Sequence, residues 1–259
     1  MGDFLDVLAR DVKETIHEGY YETLTHVATP SVSLKKTILE SKNIPIITEI
    51  KAASPSLGTI RKNFNPEEVA GAMENGGAVG ISVLTEPKHF KGSLDSFVKV
   101  RKRVRLPLLM KDVIIHPMQL ETASKIGANA VLLIATLFKR GYSTHDSDDM
   151  ISLAHSKNLE VLLETHTKDE FLSALKTRAD LIGINNRDLR TLKVDLKITQ
   201  RILTKIDNEE KVVISESGIR TPADIRFLRQ CGAHGFLVGS ALMAADDIER
   251  KVRELVRAL

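Results

Sequence analysis

The sequence lacks most of what would tie it to a membrane, a nucleic acid or a thiolate metal site. Cys231 is the one cysteine in 259 residues, which excludes an internal disulfide and any site built from several thiolates. Tryptophan is absent and aromatic residues make up 4% of the chain. Nucleic-acid binders concentrate basic side chains on one face, with aromatics between them. Here 37 Lys and Arg against 34 Asp and Glu leave a net charge of +3, with both signs mixed along the chain. The short basic runs, Arg101-Lys102-Arg103 and Arg250, Lys251 and Arg253, lie on helical patterns and read as solvated faces. The longest apolar run, 130–135, is far short of the roughly 20 residues of a spanning helix. Asp3, Asp6 and Arg10 interrupt any signal-peptide core, and Asp6 stands where a myristoylation signal has Ser or Thr. With 15 Gly and 8 Pro the chain is not linker-rich. A globular protein of the cytoplasm is expected, binding neither nucleic acid nor membrane.

What is present is an alternation. Eight short apolar segments, 44–51, 78–84, 106–111, 129–135, 159–165, 180–186, 211–217 and 234–240, are separated by amphipathic stretches. The segments are rich in Val, Ile and Leu without polar alternation, as parallel strands covered on both faces are. Asn65-Pro66-Glu67-Glu68 and Thr221-Pro222-Ala223-Asp224 carry helix-start signals, and Thr167 with Glu170 resembles a capping box. Eight strand–helix units in one chain of this length predict a single α/β domain, a closed (β/α)8 TIM barrel over 44–259. An open doubly wound sheet would be expected to show GxGxxG after its first strand, where this chain has Ala52-Ala53-Ser54-Pro55-Ser56-Leu57-Gly58. Residues 1–43 are expected to form a helical extension packed on the barrel, with Leu5, Leu8, Val12 and Ile16 on one helical face and a second short helix near 33–39. The long connection 52–63 is expected to act as a lid over the barrel mouth.

In such a barrel the strands' C-terminal ends carry the active site. The first strand ends in Glu49 and Lys51, two apart and so on one face; the third ends in Lys111 and the fifth in Glu164. The sixth ends in Asn185 and Arg187, the seventh in Glu216-Ser217-Gly218 and the eighth in Gly239-Ser240. Singly, each has a plain alternative: Lys111 beside Asp112 suits a rim ion pair, and Glu49 with Lys51 a same-face salt bridge. Together they form a converging set that is hard to obtain without a ligand. The Gly-hydroxyl turns after strands seven and eight let backbone N–H groups approach an anion, which points to a phosphorylated small molecule. His116, His145, His155 and His166 lack metal-ligand spacing and read as structural, and no metal site is expected.

The stretches EIKAASPSLG (49–58), LLMKD (108–112), GINNRDL (183–189), SESGI (215–219) and GFLVGSALM (235–243) occur in the order and with the gaps of a known family. From Ile44 onward the chain resembles indole-3-glycerol-phosphate synthase of tryptophan biosynthesis. The resemblance implies a lyase that closes the indole ring of 1-(2-carboxyphenylamino)-1-deoxyribulose 5-phosphate with loss of carbon dioxide and water, without metal or organic cofactor. It leaves open an association with other enzymes of the tryptophan pathway. By this likeness Lys111 is the general acid on the ketone, Lys51 holds the substrate carboxylate beside Glu49, and Glu164 is the base for dehydration. Asn185, Glu216 and Ser217 fall on polar active-site positions. Arg187 falls near the sugar phosphate, and Ser54, Ser56, Gly218, Gly239 and Ser240 on the phosphate side. Phe90, Leu133, Leu189 and Leu237 would line the aryl pocket.

Two positions depart from the family's usual pattern: Val113 stands where an aromatic is common, and Met110 where Arg is common. Val113 is expected to leave the aryl pocket roomier. Three rival readings each fit the residues less well, with Glu49 and Lys51 where an isomerase needs Cys, Lys51 and Glu164 unused by an aldolase, and the acid and base positions intact. A phosphosugar isomerase would place Cys at the end of its first strand, and a Schiff-base aldolase would need Lys111 alone. A non-catalytic phospholigand barrel would keep the phosphate turns without the acid and base.

Overall fold

Each expected strand forms. The computed structural model describes residues 3–23, 25–54, 58–206 and 211–258. Its barrel strands are β1 (Ile46–Ile50), β2 (Gly80–Leu84), β3 (Leu108–Lys111), β4 (Ala130–Ile134), β5 (Glu160–Thr165), β6 (Leu181–Asn185), β7 (Val212–Glu216) and β8 (Gly235–Val238). All neighbouring pairs are parallel, and β1 bonds to both β2 and β8, so the sheet closes without an edge. Every residue of β1, β2, β4, β7 and β8 is buried, which is why these segments read as unbroken apolar runs.

The helix signals act as anticipated, with one change. Asn65 accepts from the Glu67 amide at 2.9 Å ahead of Pro66, and Thr221 and Asp224 form a reciprocal capping box. Thr167 accepts from the Glu170 amide at 3.2 Å, but the Glu170 carboxylate reaches back one residue further than a capping box requires. Its Oε2 accepts from the His166 amide at 2.8 Å, and its Oε1 from the Thr136 hydroxyl at 2.8 Å. That carboxylate therefore fixes the turn leaving β5.

Ahead of the barrel, α1 (Phe4–His17) buries Leu5, Leu8, Ala9, Val12 and Thr15, and α2 (Leu34–Leu39) buries Leu34 and Ile38. The segment between them joins the two ends of the barrel. At the C-terminal ends of the strands, the Tyr20 hydroxyl donates to the Thr85 carbonyl at 2.9 Å and the Tyr21 hydroxyl to Asp112 Oδ1 at 2.9 Å. At the opposite end, Glu160, the first residue of β5, accepts from the Leu34 and Lys35 amides at 2.7 and 3.1 Å.

After β1 the chain forms a small antiparallel hairpin, Ala53–Ser54 with Gly58–Thr59. Below it, the Ile60 amide donates to the Ala52 carbonyl at 2.8 Å and the Arg61 guanidinium to the Ala245 carbonyl at 3.0 Å. The hairpin tip, with Ser56, lies outside the described residues. No described helix is long and apolar enough to cross a membrane.

Asp112 is buried directly after the Lys111 position, and burial pushes its carboxyl up to about 6 despite donors from Thr85, the Val113 amide and Tyr21. Removing one donor costs most when the acceptor is charged. Tyr21→Phe should therefore destabilise the fold by roughly 1.5–3 kcal/mol at pH 8 and by clearly less at pH 5. Urea unfolding of both proteins at the two pH values checks this.

Candidate active site

The odd-numbered strands deliver one charged side chain each to the barrel mouth: Glu49 from β1, Lys111 from β3, Glu164 from β5 and Glu216 from β7. Side chains from alternate strands fill a layer of such a barrel, and here three of the four are carboxyls and the fourth is an amine. Lys111 Nζ donates to Glu216 Oε2 at 2.8 Å and lies 3.4 Å from Glu164 Oε2. Lys51, just past β1, lies with Nζ 2.6 Å from Glu49 Oε1. The same-face salt bridge read as an alternative for that pair does form, inside the same mouth. Asn185, closing β6, hydrogen-bonds Glu164 through its side chain and accepts from the Arg187 amide at 3.0 Å.

Burial and mutual charge set how these groups titrate. Burial works against the Lys111 cation, but Glu216, Glu164 and Glu49 outweigh it and hold the amine above its ordinary range. Glu216 is pushed up to about 7, by burial first and then by Glu164 and Glu49, against the pull of Lys111. Burial also raises Glu164, yet Lys111, His166 and Asn185 more than reverse it, leaving its carboxyl below the usual range. Two neighbouring acids are thus driven apart, one held ionised and the other raised toward neutrality. Oxygens Glu49 Oε2 and Glu216 Oε1 are buried and have no hydrogen-bond partner among the described residues.

Two glycines make room for this arrangement. A Cβ on Gly183, paired with Glu164 across β5 and β6, would collide with Glu216 Oε1. A Cβ on Gly239 would sit 2.5 Å from Glu49 Oε1 and 3.0 Å from Lys51 Cε. Where β7 ends, Ser217 and Gly218 take successive left-handed conformations, φ 67° and 87°, a turn uncommon for serine. After β8 a short helix, Ser240–Met243, starts on Gly239, and its first amides lack intrahelical acceptors.

A cavity of about 410 Å³ opens over the charged layer. It is lined by Glu49, Lys51, Lys111, Glu164, Asn185 and Glu216, with Ser217, Gly218, Gly239 and Ser240 to one side. Ser54, Phe90, Arg187, Leu189 and Leu237 line it as well. Leu133 does not. It is fully buried, but strand alternation turns it to the other face of β4, and its neighbours Leu132 and Ile134 line the cavity in its place. Val113 lines it and Met110 does not, so the first departure falls inside the mouth and the second in the core.

Some lining residues were not anticipated. Phe4, Leu5 and Leu8 reach the cavity from α1, and Leu192 and Val194 from the loop after β6. The apolar stripe of α1 signalled a packed helix, and nothing in its spacing distinguishes covering a core from covering a ligand. His166 was read as structural, yet its side chain is 7% exposed with Nε2 3.3 Å from Glu164 Oε1. The available signal was its spacing two residues after Glu164, the same spacing that pairs Glu49 with Lys51. Among the described residues, no three His, Cys, Asp or Glu side chains gather so as to hold a metal ion.

Comparison with known proteins supplies the family. The model of the indole-3-glycerol phosphate synthase family matches residues 6–255. The chain belongs to the indole-3-glycerol phosphate synthase family. Among relatives named indole-3-glycerol phosphate synthase, that of Dehalococcoides mccartyi is 44% identical over 221 residues, covering 84% of this chain and 83% of the relative. That of Methanocaldococcus jannaschii is 43% identical over 228 residues, covering 86% and 82%. That of Prochlorococcus marinus is 40% identical over 264 residues, covering 98% and 87%. The barrel alone is shared more widely. Thiamine phosphate pyrophosphorylase from Pyrococcus furiosus superimposes with a TM-score of 0.60 at 19% identity, covering 87% of this chain and 97% of that one.

Two predictions test the electrostatics of this family member. Gly183→Ala should leave a folded barrel with Glu216 displaced, so that a crystal structure shows the Lys111–Glu216 contact broken. Glu216 keeps its proton more tightly folded than unfolded, so it stabilises the fold at low pH and that contribution is lost as pH rises from about 4.5 to about 7. Glu216→Gln should accordingly gain stability relative to the parent across that window and hold a constant difference above it, measured by thermal unfolding at fixed ionic strength.

Proposed function

We propose that this barrel converts 1-(2-carboxyphenylamino)-1-deoxyribulose 5-phosphate to indole-3-glycerol phosphate, with Lys111 as the acid and Glu164 as the base. The observation that carries this reading is the Lys111 amine held charged by three carboxyls, between an apolar wall and the glycine turns of β7 and β8. Ring closure needs a ketone made electrophilic, and the Lys111 ammonium supplies its proton. The aryl carbon bearing the carboxylate bonds to the former ketone carbon. The bond to the carboxylate then breaks, and its electron pair restores the aromatic ring as carbon dioxide leaves. Glu164 next takes a proton from the carbon beside the amine nitrogen while the new hydroxyl departs, and those two fragments make the water released. Decarboxylation of a carboxylate consumes one proton per turnover, which solvent returns to Lys111.

The other residues serve binding in this reading. Lys51, steadied by Glu49, holds the aryl carboxylate until it leaves. The unpartnered oxygens Glu49 Oε2 and Glu216 Oε1 are acceptors suited to the sugar hydroxyls and the anilino N–H. Ser217, Gly218, Gly239 and Ser240 receive the phosphate, with Ser54 and Arg187 nearby. Phe90, Leu189 and Leu237, joined by Leu132, Val113 and Leu8, enclose the aryl ring.

Indole fluorescence after mixing the purified chain with substrate tests the activity. Lys111→Ala should lower kcat by at least about 100-fold, the lower end for a positioned acid; retention of a tenth of the parent rate would remove Lys111 from that role. Ser217→Ala with Ser240→Ala should weaken binding of the phosphorylated product at least tenfold more than binding of its dephosphorylated analogue, read by calorimetry. Equal losses for the two ligands would place the phosphate elsewhere.

A further inference from the structure

The side chain of His166 is buried behind Glu164, does not line the cavity, and has no hydrogen-bond partner at either ring nitrogen among the described residues. Its backbone is not free to wander, because its amide is held by Glu170 Oε2 at 2.8 Å and Glu170 is itself held by Thr136. The fold thus fixes a buried imidazole whose Nε2 stands 3.3 Å from Glu164 Oε1. That separation is within reach of a hydrogen bond, but the ring is not aligned for one. Catalytic contacts are often looser before ligand binds. The other oxygen of Glu164 faces the Lys111 amine at 3.4 Å.

The two neighbours differ in what happens to them during turnover. Once Lys111 has given its proton to the ketone it is a neutral amine, and Glu164 loses its cation just before it must act as a base. Asn185 is then the remaining side-chain donor on a carboxylate 3% exposed, and a further donor at Oε1 lowers the cost of keeping it ionised. We infer that His166 is a positioning residue, whose Nε2–H holds Glu164 Oε1 in place and ionised through the second half-reaction. The inference rests on the reading of Glu164 as the dehydration base. The Nε2–H tautomer leaves only a lone pair at buried Nδ1, which costs less than an unpaired N–H there. Its effect on the reaction is exerted wholly through Glu164.

The experiment compares His166→Leu, which fills the space without a donor, with His166→Gln, whose amide N–H₂ reaches about as far as Nε2. His166→Leu should lower kcat tenfold or more while changing KM less than about twofold, and rapid quenching should trap a decarboxylated, still hydroxylated intermediate. His166→Gln should return kcat to within about threefold of the parent. Parent-like kcat in His166→Leu, equal impairment of both variants, or a loss confined to KM would each overturn the inference. Nitrogen-15 NMR of histidine in the unmutated protein gives a second readout that needs no His166 variant to fold. It should show His166 as the Nε2–H tautomer, with a resonance that moves in Glu164→Gln; the opposite tautomer, or a resonance indifferent to Glu164→Gln, overturns it. Glu164→Gln assayed alongside separates the two levels. If it keeps the parent kcat, the base reading itself fails; if it is crippled while His166→Leu is not, only the role of His166 fails.

Discussion

A primary amine can sit inside a barrel mouth as a cation only if enough negative charge surrounds it. Lys111 meets that condition through Glu216, Glu164 and, further off, Glu49, and much of the site's construction follows from it. Three acids so close cannot all ionise at equal cost. The one with the most cationic and donor contacts, Glu164, goes down in pKa, and Glu216 goes up. Gly183 and Gly239 lack side chains where a single methyl would strike Glu216 or Glu49. An acid and a base therefore coexist a few ångströms apart with their protonation states assigned by surroundings rather than by residue type.

The barrel frame carries this charge cluster without spending strand interiors on it. Glu164 and Glu216 stand at or beside the last residues of β5 and β7, and the strand positions just before them, Val161 to Leu163 and Val212 to Ser215, are apolar or small. The helical extension adds a wall rather than a layer. It contributes Phe4 and Leu8 to the cavity and is bonded through Tyr21 to Asp112, the residue after the amine-bearing lysine. The segment of chain that precedes the barrel is thus continuous with the site in both packing and hydrogen bonding.

Much of this was legible in the residues. Parallel strands buried on both faces give apolar runs that are easy to delimit, and the helix caps at Asn65 and Thr221 are local chemistry. Charges at strand ends could be read as a set because the fold brings all those ends to one place. What failed to show has a common cause. Leu133 was assigned by likeness to a position, but the face a residue presents is decided by register, and one step along β4 exchanges Leu133 for Leu132 or Ile134. His166 and Leu8 look like ordinary structural residues: the spacing from Glu164 hints at His166, but which side chain lies across the gap from either residue is decided by packing. The Thr167–Glu170 pair signalled a helix start, yet the carboxylate bonds His166, a detail of turn geometry beyond the motif.

Glu216 has one further consequence. A carboxyl pushed up to about 7 inside the mouth brings a change in the pocket's charge within reach of neutral pH. A ligand that presents donors to Oε1 favours the ionised form, whereas one that brings negative charge close favours the protonated form. Occupancy and proton exchange with the buffer are then linked, so the heat of binding carries the ionisation enthalpy of whatever buffer surrounds the protein.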